Sequence, residues 1–291
     1  MKKLLALFLL LFGIAHAQTH TFKFILSSGP GSGSDVTLDT YAHCLKQQSI
    51  LVLKDFKPGA EGLVAIKTLQ NAQDTDNITH VLLGNFGLNV LGKFSGIDLL
   101  NDINPITYIN STPLVIVGKN GKYKSMDDLL SESKPINIGS PSSSGTFLVE
   151  NLFKELKIPY QIIPYKNNVT GLIDVINGSL DLFVDTYIGA RPLIEADKLI
   201  MVTSTFDKRT AKKYNHESIE KYSLTLSKMP LGLILSVQPS VDNATKNMIV
   251  KAIHNCGKDN DIVQKLEKAE SHPIFISTEE IKNIVKSVAK K

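Results

Sequence analysis

Residues 21–48 read TFKFILSSGPGSGSDVTLDTYAHCLKQQ. The first six, TFKFIL, form a strand-like apolar run; SSGPGSGSD (27–35) is turn-rich; 36–48 reads as a helix. Strand, glycine/serine loop and helix in that order open a βαβ unit. Ile50 begins the next apolar run (50–53), and the pattern then repeats along the chain. KPGAEG (57–62) leads into a helix ending near Ala72 and a strand at 80–83. INIG (136–139) leads through SPSSSGT (140–146) into a helix reaching Leu156. Strand Tyr160–Pro164, a helix near 169–176 and a strand at 180–185 complete a further unit. Other strands are expected at 106–109, 114–118, 198–202 and 232–237. Ser125 with Asp128 and Ser277 with Glu280 have the spacing of capping boxes, and the tail reads as helices at 241–256, 261–270 and 279–288. Short strands alternating with helices of 10–15 residues predict an α/β fold with mainly parallel sheets, whose ligands sit on the loops at the strands' carboxyl ends. No internal sequence repeat or long linker is present, so any two-lobed arrangement must come from chain crossings.

The composition narrows the class. The chain has 291 residues, 43% hydrophobic and 21% charged, with 12 prolines, 19 glycines and two cysteines. This is a globular composition, long enough for two lobes or one large domain. The formal charge of +4 is small and dispersed, which excludes a nucleic-acid partner. MKKLLALFLLLFGIAHA (1–17) combines Lys2 and Lys3, an apolar run of 11 residues from Leu4 to Ile14 and an Ala15-x-Ala17 end. It reads as a cleaved signal peptide, because spanning a bilayer needs about 20 apolar residues. No cysteine precedes Cys44 to carry an acyl anchor, so the expected location is periplasmic and soluble. In an oxidising compartment Cys44 and Cys256 form either one disulfide or two buried free thiols, and the residues leave both open.

The loops favour binding over catalysis. SSGPGSGSD and SPSSSGT each place hydroxyls and flexible amides before a helix, and a helix N-terminus holds anions without a side-chain cation. Taken singly, such loops are also ordinary caps and turns. The chain has no G-x-S-x-G elbow, no Walker phosphate loop and no dinucleotide fingerprint. The histidines are scattered and no metal-ligand spacing occurs. Asp181 and Asp185 in DLFVD lie on one side of a strand, with Asp185 at the end where a ligand would be met.

Read in order, these loops resemble the periplasmic solute-binding receptors of tripartite tricarboxylate transporters, the Bug-type receptors. Ser27-Ser28-Gly29-Pro30-Gly31-Ser32-Gly33-Ser34-Asp35 is similar to the family's P-F-x-P-G-G-x-x-D opening, and Pro58-Gly59-Ala60-Glu61-Gly62 to its P-G-A-G-G. Gly139 to Thr146 resembles its second glycine/serine loop. Pro164-Tyr165-Lys166, Asp174, Gly178, Asp181-Leu182, Asp185, Lys198-Leu199, Thr203-Ser204 and Lys208-Arg209 form the longest match, and Gly232-Leu233 with Pro239 resembles the return strand. Ser27 and Ser28 stand for Pro and Phe, Ser142 and Ser144 for glycines, Leu148 for a histidine and Asn167 for a glycine. These departures imply a more hydrophilic pocket, suited to a small polar carboxylate.

The resemblance implies a two-lobed Venus-flytrap receptor without catalytic activity, cofactor or metal. Lobe one would comprise 18–116 and 234–291 and lobe two 117–233, with crossings near 115–117 and near Ile234. That layout puts Cys44 and Cys256 in the same lobe, which favours their pairing. The implied ligand is a small carboxylate: a di- or tricarboxylate, an acidic amino acid or a related organic acid. It would be held by Ser28, Gly31, Ser34 and Asp35 of the first loop, Asn85 after the third strand, and Ser140, Gly145 and Thr146 of the second loop. Tyr165, Asp185 and Thr186 would line the opposite side. The implied partner is a membrane permease of two integral subunits, served by a monomer. A receptor for a membrane signalling protein, or a secreted hydrolase using a loop serine, are the alternatives.

Overall fold

The computed structural model describes residues 19–84, 102–223, 226 and 231–288. The expected signal peptide and Asn85 lie outside the described residues.

Two five-stranded sheets form the frame. The first has the order β2-β1-β3-β10-β4, made of β1 (His20–Leu26), β2 (Ile50–Phe56), β3 (Ile78–Gly84), β4 (Asn104–Ser111) and β10 (Gly232–Val237). The second has the order β7-β6-β8-β5-β9, made of β5 (Leu114–Lys119), β6 (Ile136–Ser140), β7 (Tyr160–Pro164), β8 (Leu182–Thr186) and β9 (Leu199–Ser204). Each sheet is mainly parallel but carries one reversed strand. β10 runs against β3 and β4, and β5 runs against β8 and β9. These are the strands that follow the two crossings between lobes, so each lobe takes one antiparallel strand from the segment that enters it. The two orders are the same pattern, which no sequence repeat betrays.

The crossings come earlier than the sequence suggested. β5 lies wholly in the second sheet and β10 wholly in the first, so the expected boundaries at 116/117 and 233/234 cut through strands. Pro113, which has no N–H to donate, lies in the two-residue gap between β4 and β5. At this point Thr112 N donates to Leu231 O at 3.0 Å, tying the outgoing crossing to the returning one.

Both faces of each sheet are buried, and alternation along the strands divides the apolar side chains between them. On β1, Phe22, Phe24 and Leu26 pack with helices Gly33–Gln47 and Asn243–Cys256, while Ile25 packs with helix Leu63–Gln70. On β5, Leu114 and Ile116 face helix Ser143–Glu155, and Val115 and Val117 face helices Asn168–Asn177 and Tyr187–Glu195. Burying each such side chain contributes about 1.5–3 kcal/mol. Helix Tyr187–Glu195, with Pro192 inside it, and the short helix Lys208–Lys213 were not expected from the sequence. Cys44 and Cys256 form a disulfide (Cα–Cα 5.8 Å) joining the helices Gly33–Gln47 and Asn243–Cys256 within lobe one.

Candidate functional site

Four helices begin at the seam between the lobes. Each follows the carboxyl end of a strand: Gly33–Gln47 after β1, Ser143–Glu155 after β6, Asn168–Asn177 after β7 and Tyr187–Glu195 after β8. Their first residues, with the loops before them, line one cleft: Ser28, Ser32, Gly33, Ser34, Pro141, Ser142, Asn168, Asp185 and Thr186, closed by Leu114 and Leu233 from the two crossings. Among the described residues Asp185 is the one ionisable side chain in this lining, and no Lys, Arg or His joins it.

The lobes are shut over the site, whose volume of about 20 Å³ has room for on the order of one water. Closure needs a glycine. A Cβ on Gly33 would lie against Thr186 Oγ1 and 2.7 Å from Ile188 Cγ2, and one on Gly29 would lie 3.1 Å from Asn167 Cβ. The first loop of lobe one therefore rests on the helix starts of lobe two. Away from the cleft, Glu270 of lobe one accepts from Lys213 Nζ at 2.5 Å and Tyr214 Oη at 2.7 Å of lobe two.

The caps differ in a way that matters for binding. Ser142, Asn167 and Thr186 each accept a hydrogen bond from their own helix's first turn. Ser32 makes no such bond; its hydroxyl pairs with Ser34 Oγ at 3.1 Å. Helix Gly33–Gln47 thus presents its first amides without a side-chain cap, which suits an anion.

Asp185 continues the side of β8 that carries Phe183, toward the helices Asn168–Asn177 and Tyr187–Glu195. Its Oδ1 accepts from Thr186 N at 2.6 Å, from Thr186 Oγ1 at 3.3 Å and from Asn168 Nδ2. Its Oδ2 has no partner, and neither has Asn168 Oδ1. Burial disfavours the charged form and raises the pKa to about 7, against the three hydrogen bonds that lower it.

Of the residues expected at the site, Ser28, Ser34, Asp185 and Thr186 come together in the lining. Ser140 and Gly145 stand just behind it: Ser140 Oγ donates to Ser142 O at 2.9 Å, and Gly145 N donates to Ser142 Oγ. Thr146 N bonds Ser142 O one turn into the helix. Gly31 and Asp35 are not in the lining. Gly31 is exposed and left-handed (φ 77°), and its N–H closes onto Asp35 Oδ2 at 2.8 Å, while Asp35 Oδ1 takes Lys54 Nζ at 2.5 Å. Asp35 therefore ties the loop to β2 and does not face the cleft. Tyr165 is also elsewhere, edge-on to Phe183 with centroids 5.4 Å apart, its hydroxyl donating to Asp174 at 2.7 Å. Ser32, Gly33, Ser142 and Asn168 were outside the expected set, although Ser32 and Ser142 belong to the hydroxyl-bearing loops singled out in the sequence. Ser32 and Ser142 are the residues directly before a helix, a signal present in both loops, whereas nothing local distinguishes Asn168 from Asn167.

A wider hollow of about 1060 Å³ opens on lobe two, lined among others by Glu155, Lys208, Lys212, His216, Glu217 and Lys221. It mixes charges of both signs and lies within one lobe, unlike the cleft where four helix starts meet. Among the described residues no helix is long and apolar enough to cross a membrane, and no group of acids, histidines or cysteines could hold a metal ion.

Residues 37–291 match the family described as the tripartite tricarboxylate transporter family receptor. The chain belongs to that family. It is accordingly a solute receptor of a transporter, not an enzyme, with the α/β two-lobed fold that the resemblance implied. The match begins inside helix Gly33–Gln47, so the first loop of this receptor lies ahead of the matched residues. Solved structures similar to the receptor include the periplasmic binding protein BugD (16% identity, TM-score 0.79, covering 93% of this chain and 94% of that one). The MatC protein of Rhodopseudomonas palustris with bound malate is similar as well (13%, 0.79, 93% and 97%). So is an R. palustris protein with adipate (17%, 0.78, 94% and 94%). Sequence comparison with curated proteins finds no match.

Proposed function

We propose that this receptor works outside the cytoplasm as a monomer, exported by cleavage of residues 1–17. It captures a small carboxylic acid between its lobes and hands it to a membrane permease of two integral subunits. The observation that carries this reading is the convergence of four helix N-termini on one cleft that has no cationic side chain among the described residues. Ser28, Ser34 and Thr186 supply hydroxyls, and the amides of helix Gly33–Gln47 supply uncapped donors. The magnitudes agree. One partly buried N-terminus contributes up to about 2 kcal/mol to anion binding, and a micromolar complex needs about 8 kcal/mol. Two N-termini fall short of that; four approach it once water is excluded. The malate and adipate in the similar structures are acids of the expected kind. The lobes in this reading divide at the crossings, with 19–111 and 231–288 in one and 112–223 in the other.

A thermal-shift panel of mono-, di- and tricarboxylic acids, set beside sugars, amines and metal ions, tests the reading. An acid at 100 times its Kd adds about 2.7 kcal/mol, roughly 5–11 °C for a lobe of this size. A panel in which sugars or cations raise the Tm and every acid fails would overturn the reading.

A further inference from the structure

Two buried acceptor atoms on residues that line the cleft have nothing to accept from. Asp185 and Asn168 are 2% and 6% exposed, and both line the site. Asn168 spends its amide N–H on Asp185 Oδ1 and leaves its own Oδ1 unpaired, while Asp185 Oδ2 is unpaired too. A buried acceptor without a donor costs about 1–3 kcal/mol, and more when it is charged. The two belong to side chains joined by a direct hydrogen bond. The start of helix Gly33–Gln47 in the other lobe, which has no side-chain cap, supplies donors to the same cleft.

We propose that the ligand carries a hydrogen-bond donor, an ammonium or a hydroxyl, on the carbon beside its carboxylate. The donor meets Asp185 Oδ2 and Asn168 Oδ1 while the carboxylate takes the helix amides. This rests on the receptor reading above and narrows its ligand class. An unsubstituted acid leaves both acceptors unpaired. Sites built to hydrogen-bond a substituent discriminate strongly against analogues that lack it, because their own buried groups are then stranded. Among the described residues no cation of the lining competes for Asp185, and burial holds its carboxyl near a pKa of 7. An arriving ammonium would draw it to the ionised form; a hydroxyl can serve either form.

Calorimetric titration with matched series tests this: propionate, lactate and alanine; succinate, malate and aspartate; glutarate, 2-hydroxyglutarate and glutamate. Within at least one series the hydroxy or amino member is expected to bind 10-fold or more tightly than its unsubstituted parent. An amino acid in the lead identifies the donor as ammonium, and a hydroxy acid in the lead identifies it as hydroxyl. Asp185→Asn should reduce that preference to about threefold or less; if that variant does not fold, Asn168→Ala serves the same purpose. Parents that bind as tightly as their substituted partners would overturn the proposal and leave the receptor reading intact. No binding in any series would also overturn it, and the receptor reading would then depend on the wider acid panel.

Discussion

Asp185 joins the chemistry of the cleft to the stability of the fold. Its carboxyl titrates near 7 when folded, because burial outweighs its hydrogen bonds, and near 3.9 when the chain unfolds. Between those values the folded state holds a proton that the unfolded state has lost. The stabilisation is therefore complete below about pH 4 and is lost as pH rises through 7, at about 1.4 kcal/mol per pH unit. Asp207, Asp242 and Glu280 have lowered values, held down by first-turn hydrogen bonds at their helix starts, and act in the opposite sense at lower pH. Comparison with Asp185→Asn cancels them. The Tm of the native protein minus that of Asp185→Asn should fall steadily from pH 4.5 to 7.5 and then level off; a flat difference would show that Asp185 is ionised throughout. At this scale the sequence was partly legible. The alternation of DLFVD and its place at a strand's end gave Asp185. Asp35 and Tyr165 were expected at the ligand but lie outside the lining, because the direction of each is decided by a partner distant in sequence: Lys54 on the next strand and Phe183 on another.

Among the elements, the helix starts decide function and the glycine at position 33 decides whether they meet. Gly33→Ala adds a methyl that collides with Thr186 and Ile188, yet alanine is the better helix former by about 1 kcal/mol. The variant should keep the Tm of the ligand-free protein within a few degrees while losing 10-fold or more in affinity for the acid by calorimetry. Unchanged affinity would mean that the closure seen here is not the binding state. Strand–loop–helix units were legible because each carries its own signals, an apolar run, a Gly/Ser turn and a cap. Helix Tyr187–Glu195 was not, since Gly189 and Pro192 within nine residues read as breakers, and its place is fixed by packing: Tyr187 lies edge-on to Phe206 at 5.1 Å and Ala190 is fully buried. Asn168 stayed hidden for a related reason, because its role appears only when β8 lies beside its helix.

Over the whole molecule, two lobes of the same strand order are stitched by crossings at 112–113 and at Leu231. That interleaving was foreseeable only as a consequence of family resemblance, since chain crossings leave no linker signature. The Cys44–Cys256 bridge closes a separation of 212 residues inside lobe one, and chain entropy puts its contribution at up to about 5 kcal/mol. Reduction, or Cys44→Ser with Cys256→Ser, should lower the Tm by on the order of 10 °C and leave affinity for the acid within about twofold, because the bridge lies at the far end of helix Gly33–Gln47 from the cleft. A large loss of affinity would show that the bridge shapes the site. The central claim is that backbone amides of both lobes grip one acid. Hydrogen–deuterium exchange with and without aspartate or malate reads those amides directly. The account predicts slowed exchange at 32–35 in lobe one together with 142–145, 168–170 and 186–189 in lobe two. Protection confined to one lobe, or absent from these helix starts while the acid is bound, would contradict it.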